Sequence, residues 1–251
     1  MPPRIAIPIP HSTDREYSER AMPQYERAVA LAGGEPVRIS LDENPAQVRA
    51  LLKSCVGVLL PGSKADVDPR RFGETKSPHT ANADPKREAV DDILIEDAYA
   101  HAKPVLGICY GLQSLNVFRG GSLIQHILDF LPEEKRTRVN HEAGKTVAVA
   151  HSVKVDRGSM LFAIATSDSP TEAIRNPFSV PVNSSHHQSA DAAGKGLHIV
   201  ARCIEDDIVE ALEGTTPDHF VLAVQWHPER SVEGPVSRNI FRALVEATGR
   251  R

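Results

Sequence analysis

The sequence predicts an α/β fold: a mainly parallel central sheet with helices on both faces, and an additional antiparallel portion in the C-terminal half. Three observations carry this. Up to Ile108, short apolar runs alternate with stretches of helical spacing, the pattern of strand and helix units that place parallel strands side by side under two helical layers. Beyond about residue 145 the pattern shifts to short alternating segments, which suit antiparallel or mixed pairing. With 251 residues, 41% of them hydrophobic and 25% charged, the chain has an ordinary globular composition. It is too short for two large independent domains, so one domain over 1–251 is expected.

The elements follow in order. Residues 4–10 read as a strand and 21–31 as a helix stopped by Gly33-Gly34, after which 36–41 is a second strand. Asn44 is placed to cap a helix over 45–52, and the apolar run 57–60 is a buried strand closed by Pro61-Gly62. Asp84-Pro85 opens a long helix to about residue 101, with Val90, Ile93, Leu94, Asp97 and Ala98 at helical spacing. It leads into a strand over 104–108 and a helix over 112–118. Strand-like segments at 146–155, 197–203, 208–213 and 220–225 precede a closing helix over 235–247. Residues 62–83 and 167–196 lack regular pattern, and loops of that length are more often functional than idle.

Charge and composition narrow the partners. A net charge of -4 gives no electrostatic reason to expect nucleic acid or an anionic membrane. The N-terminus lacks a signal-peptide core, and no apolar run is long enough for a membrane helix. Cys55, Cys109 and Cys203 are odd in number and unevenly spaced, so neither a disulfide framework nor a zinc knuckle is indicated. A reducing cytoplasm is the expected location. The expected partner is a small molecule; a homodimer is left open as the commonest closed assembly.

Chemistry concentrates at two places. Glycines stand two residues to either side of Cys109, at the turn from a buried strand into a helix, which is the spacing a nucleophile elbow needs because the turn crowds its own backbone. The helix N-terminus there favours thiolate over thiol. A lone cysteine after an apolar strand is otherwise a small buried hydrophobe, the reading given to Cys55 and Cys203. Far downstream, the apolar run 220–225 ends in Trp226-His227-Pro228-Glu229. A thiol nucleophile needs an imidazole to hold the thiolate and protonate the leaving amine, and the imidazole needs an acceptor on its other nitrogen; His227 and Glu229 are the candidates. In a parallel sheet both strand ends open at one edge.

Gly107-Ile108-Cys109-Tyr110-Gly111-Leu112-Gln113 followed by Gln225-Trp226-His227-Pro228-Glu229 resembles the class I glutamine amidotransferase-like family. Residues 66–74, 116–123 and 182–188 make the chain similar to its γ-glutamyl-γ-aminobutyrate hydrolase branch. The resemblance implies a flavodoxin-like three-layer sandwich and a Cys109–His227–Glu229 triad that cleaves a γ-glutamyl amide through a thioester. It also implies an oxyanion hole at Tyr110 and the Gly62-Ser63 loop. Gln113 and the loop of Asn183, Ser184, Ser185, His186, His187 and Gln188 are assigned to the glutamyl head. No cofactor is implied, and no metal: the His186-His187 pair has no acidic or thiol ligand nearby in sequence. Arg87-Glu88 matches the family's arginine followed by an acid, with a solvated helix face as the alternative.

Three positions depart from that pattern. Ser63 stands where the second of two glycines is usual, with one residue more before Asp66; Tyr110 replaces a frequent arginine; Asp207 replaces a glycine. The rival readings are a glutaminase that passes ammonia to a separate synthase, and a catalytically silent binding protein. The second is disfavoured because a binding module has no use for nucleophile, base and orienter together.

Overall fold

The computed structural model describes residues 1–168 and 178–249. Its centre, among the described residues, is one mixed nine-stranded sheet: β1 (Arg4–Pro8), β2 (Glu35–Ile39), β3 (Gly57–Leu60), β4 (Val105–Ile108), β6 (His151–Val155), β7 (Ser179–Val182), β9 (Leu197–Cys203), β10 (Val209–Gly214) and β11 (Val221–Val224). These nine strands lie in the order β2-β1-β3-β4-β11-β10-β9-β6-β7. Pairing is parallel from β2 to β11 and antiparallel from β11 to β7. A two-stranded ribbon of β5 (Leu123–Ile124) and β8 (Ser189–Ala190) lies apart from it.

Each central strand buries alternate residues on opposite faces, so the sheet carries two cores. On one face Ile5, Ile7, Leu59, Leu106, Leu222 and Val224 pack with α1 (Arg15–Leu31), α6 (Met160–Thr166) and α7 (Pro235–Ala247). On the other, Ala6, Val58, Leu60, Val105, Val221 and Ala223 pack with α2 (Pro45–Leu52), α3 (Pro85–Ala100) and α4 (Tyr110–Phe118). This is the expected three-layer sandwich. A third, smaller cluster gathers Ile127 of the short helix α5 (Ile127–Phe130) with Leu131, Val139, Cys203 and Ile208.

Local chemistry explains the boundaries. Asn44 and Gln47 form a capping box at α2, and Asp84 caps α3 by accepting from the Arg87 N–H. Helix α1 begins at Arg15, earlier than expected, because Asp14 accepts from the Tyr17 N–H; its first turns are polar and carry no apolar period to read. The strand expected over 146–155 is ordered as β6 only from His151. Helix α6, capped by Ser159, was not foreseen: it is short and apolar, without a distinctive period. The unpatterned stretch 167–196 contains β7 and β8, a correction, while residues 169–177 of it lie outside the described residues. Their pairing partners are distant, so no local signal announces them. Asp207 takes φ 70°, the left-handed conformation that a glycine would fill and aspartate tolerates.

What positions the site is strand register. β3, β4 and β11 are adjacent and parallel, with Leu60 beside Gly107 and Val224 beside Ile108. The residues that follow, Pro61-Gly62, Cys109 and Gln225 to His227, therefore emerge together at the carboxyl edge. Among the described residues no helix is long and apolar enough to cross a membrane.

Candidate active site

Cys109 joins β4 to α4 with φ 53° and ψ -108°, a conformation costly for a residue with a Cβ. Its N–H donates to the Val224 carbonyl at 2.8 Å, tying the elbow to β11. The flanking glycines are required by contact. A Cβ at Gly107 would stand 2.9 Å from the Gly111 carbonyl oxygen, and one at Gly111 would stand 2.1 Å from the Leu60 carbonyl oxygen. The helix thus begins at Tyr110, two residues before the expected start, directly after the thiol.

His227 ends the chain's run out of β11, and the following turn, Pro228–Arg230, returns Glu229 beside it. The His227 Nδ1–Glu229 Oε1 distance is 2.7 Å, and both side chains are buried. Burial by itself disfavours the charged imidazole, but Glu229 and Cys109 oppose it and raise His227 to about 9. Cys109 and His227 line the same cleft, and the sulfur is one of the groups that favour the charged imidazole. The arrangement can hold an imidazolium beside the Cys109 sulfur, with its far nitrogen fixed by a carboxylate.

Asn183 holds the backbone of His227. Its Nδ2 donates to the His227 carbonyl at 2.9 Å, and its Oδ1 accepts from the His227 N–H at 3.0 Å. It does not line the cleft, and neither does the buried Ser184. Asn183 therefore meets the His227 backbone rather than the cleft, a contact its sequence neighbourhood did not reveal because its partner is far along the chain.

On the other side of Cys109 the Gly62 N–H donates to the phenolic oxygen of buried Tyr25 at 3.1 Å. A Cβ on Gly62 would lie 3.0 Å from His227 Cε1, so this glycine leaves room for the imidazole. Ser63 and Tyr110 border the cleft beside Cys109, with Ser63 Oγ accepting from the Ala65 N–H at 3.1 Å. The loop is anchored from below by Arg87, which is fully buried. Its guanidinium donates to the Pro61 carbonyl at 2.7 Å, the Pro10 carbonyl at 2.9 Å and Asp91 at 2.7 Å, and it stacks 4.9 Å from the Tyr110 ring centre. The alternative of a solvated helix face is thus excluded: Arg87 holds two strand ends, and Glu88 accepts from the Asp68 N–H at 2.8 Å.

A cleft of about 310 Å³ opens over Cys109 and His227. Gln113, Ser185, His186, His187 and Gln188 reach it, so the 183–188 loop contributes its second part and withholds its first. Gln113 Nε2 donates to the Gln188 carbonyl at 3.2 Å, and His187 Nε2 lies 3.1 Å from Asp66 Oδ1, joining the two long loops across the opening. The Asp66 partner raises His187. Sequence reading missed Tyr17, Arg20, Lys64, Glu142, Lys145 and Arg230, which also line the cleft. They sit on a helix face, in loops and in a turn, where charged residues are ordinary and only the fold turns them inward.

Residues 7–229 match the Peptidase C26 family model. A Mycobacterium tuberculosis relative, provisionally named a glutamine amidotransferase, is 36% identical over 89% of this chain and 66% of its own length. The γ-glutamyl-γ-aminobutyrate hydrolase PuuD of Escherichia coli K12 is 34% identical over 89% of this chain and 84% of its own. Among solved structures, the Trypanosoma brucei CTPS glutaminase domain with bound acivicin superposes with a TM-score of 0.61 at 18% identity, covering 99% of this chain and 94% of that one, a likeness of fold.

Proposed function

The chain belongs to the Peptidase C26 family of class I glutamine amidotransferase-like amide hydrolases, and on that premise we propose that it cleaves the γ-glutamyl amide bond of a glutamylated amine. The observation that carries this reading is the strained Cys109 elbow facing an imidazole with Glu229 at 2.7 Å behind it.

In the proposed reaction the Cys109 thiolate adds to the γ-carbonyl carbon, and the oxyanion is held by the Tyr110 and Ser63 N–H groups. Each such donor contributes because charge develops on oxygen only in the transition state; loss of one typically costs about a hundredfold or more. His227 gives its proton to the leaving nitrogen, the C–N bond breaks, and a thioester remains. Water then loses a proton to His227 as it attacks the thioester carbonyl, releasing glutamate and restoring the thiolate and imidazolium. Gln113, Gln188 and His187 line the space beside the thiol where the amino-acid head would sit.

The cleft's cations favour a substrate with carboxylates. Lys64 is paired with Asp14 at 2.7 Å and Lys145 with Glu142, whereas Arg20 has no ion-pair partner among the described residues. A leaving amine that itself carries a carboxylate, as in the substrate named for the Escherichia coli relative, fits that surplus.

Purified protein incubated with a panel of γ-glutamyl amines and with glutamine is expected to release glutamate, fastest from γ-glutamyl amines, with Cys109→Ala inert. An electrophilic glutamine analogue should label Cys109 alone. Release at equal rates by native protein and Cys109→Ala would end the proposal, and a strong preference for free glutamine would favour an ammonia-donating glutaminase instead.

A further inference from the structure

Behind the cleft lies a second constellation that the hydrolytic chemistry does not use. His141 precedes β6, His151 opens it, His186 sits in the turn before β8, and Glu210 projects from β10; all four are buried. Their candidate ligand atoms lie within 4.8 Å of one another. Glu210 Oε1 is 3.3 Å from His141 Nδ1, 3.2 Å from His151 Nε2 and 3.4 Å from His186 Nε2. A regular tetrahedron with zinc–nitrogen bonds of about 2.0–2.1 Å has edges of roughly 3.3–3.4 Å.

Those facing atoms share a second property. His141 Nδ1, His151 Nε2, His186 Nε2 and both Glu210 oxygens are buried and make no hydrogen bond. Each imidazole instead directs its other nitrogen to an oxygen: His141 Nε2 to Asp206 Oδ2 at 2.9 Å, His186 Nδ1 to the Gln188 carbonyl at 2.8 Å, and His151 Nδ1 to the Ser152 carbonyl at 3.5 Å. The contacts of His141 and His186 orient those two rings towards one carboxylate, the usual support of a metal-bound histidine, whereas the 3.5 Å contact of His151 leaves its tautomer free. A proton on His141 together with the Nε2–H tautomer of His151 still leaves the His186 lone pair, set by the Gln188 carbonyl, against the carboxylate. A divalent cation satisfies all of the facing atoms, and Glu210 with Asp206 balances its charge.

We propose that His141, His151, His186 and Glu210 form a closed, structural site for a divalent transition metal of the zinc type. Four protein ligands leave no open position, so the ion takes no part in hydrolysis. Its effect is mechanical: it ties the segment before β6, the turn before β8 and β10 together, and thereby sets the chain at His187 and Gln188 that lines the catalytic cleft. No acidic residue adjoins His186-His187 in the chain; the fold brings Glu210 from another strand. A neighbouring opening lined by His126, Arg136, Asn140, His141 and His186 gives an ion access. The site does not depend on the reading of Cys109.

The test uses the full chain without a histidine tag. Elemental analysis after purification in zinc-supplemented medium is expected to give about one Zn²⁺ per chain, and chelated protein reloaded with Co²⁺ should show the intense visible absorption of a tetrahedral centre. Cys109→Ala should retain the full equivalent. Asp206→Asn should weaken Zn²⁺ binding about 10–100-fold, the usual cost of losing an outer-shell partner. Glu210→Gln should abolish the Co²⁺ spectrum; because that variant risks misfolding, Zn²⁺ titration of chelated wild-type protein stands as the independent measurement. Absence of stoichiometric Zn²⁺ uptake by folded wild-type protein overturns the proposal, as does loss of the ion in Cys109→Ala, which would place it at the thiol.

Discussion

Replacing Glu229 by glutamine changes one atom and removes one charge, and its effect can be worked from the geometry. Glu229 Oε1 stands 2.7 Å from His227 Nδ1, whereas Oε2 is buried without a hydrogen-bond partner. If the new amide keeps its oxygen towards His227, its NH₂ occupies a place with no acceptor, an orphaned buried donor that costs about 1–3 kcal/mol. If it turns the NH₂ towards His227, Nδ1 must become an acceptor and the imidazole holds the wrong tautomer for Cys109, a fault worth up to about 10⁴ in turnover in triads of this type. Either way the charge is lost. Against the burial that depresses it, Glu229 is the leading influence that raises His227 from the ordinary 6.5 to about 9. A raised imidazole keeps its proton until the pH passes through that value, so wild-type kcat/KM should fall on the alkaline side near pH 9. In Glu229→Gln the alkaline limb should move to lower pH, and kcat should drop about 10²–10⁴-fold with KM less affected. The assay is glutamate release across the pH range, with the rate of Cys109 alkylation as an independent report on the thiolate. Retention of kcat within tenfold and an unmoved alkaline limb would refute the assignment of Glu229 as the orienting partner.

Three other substitutions test the contacts around the elbow. Gly111→Ala drives a Cβ to 2.1 Å from a backbone oxygen of β3, a clash that no side-chain rotation relieves; kcat should fall at least about a hundredfold through displacement of the elbow, checked by kinetics beside circular dichroism. Asn183→Ala frees the buried N–H and carbonyl of His227 and should cost about 1–3 kcal/mol for each group left unpaired, measured by urea unfolding, with kcat lowered more than KM. Arg87→Met leaves Asp91 buried without its partner and releases the Pro61 and Pro10 carbonyls. A destabilisation of about 3–5 kcal/mol is expected, and an unchanged denaturation midpoint would show that the guanidinium does not anchor the strand ends.

Elements with a local signal are legible in the amino-acid sequence. The apolar runs at β3, β4 and β11 and the caps at Asn44 and Asp84 mark their own elements, because hydrophobic period and backbone capping act within a few residues. Gly107 and Gly111 likewise bracket Cys109 in a spacing that needs no partner to be noticed, although the carbonyl of Leu60 that forbids a side chain at Gly111 comes from another strand. Contacts between distant segments emerge only in the folded chain. Asn183 moved from the expected glutamyl contacts to the back of His227, Arg87 proved to hold two strand ends, and His186 turned towards Glu210 as well as the cleft. Asn183 and His186 sit in a stretch without period and Arg87 in the first turn of α3, and nothing nearby reveals which partner these polar side chains reach. Burial then decides: a polar group removed from water must find a partner, and the register of the sheet determines which partner is within reach.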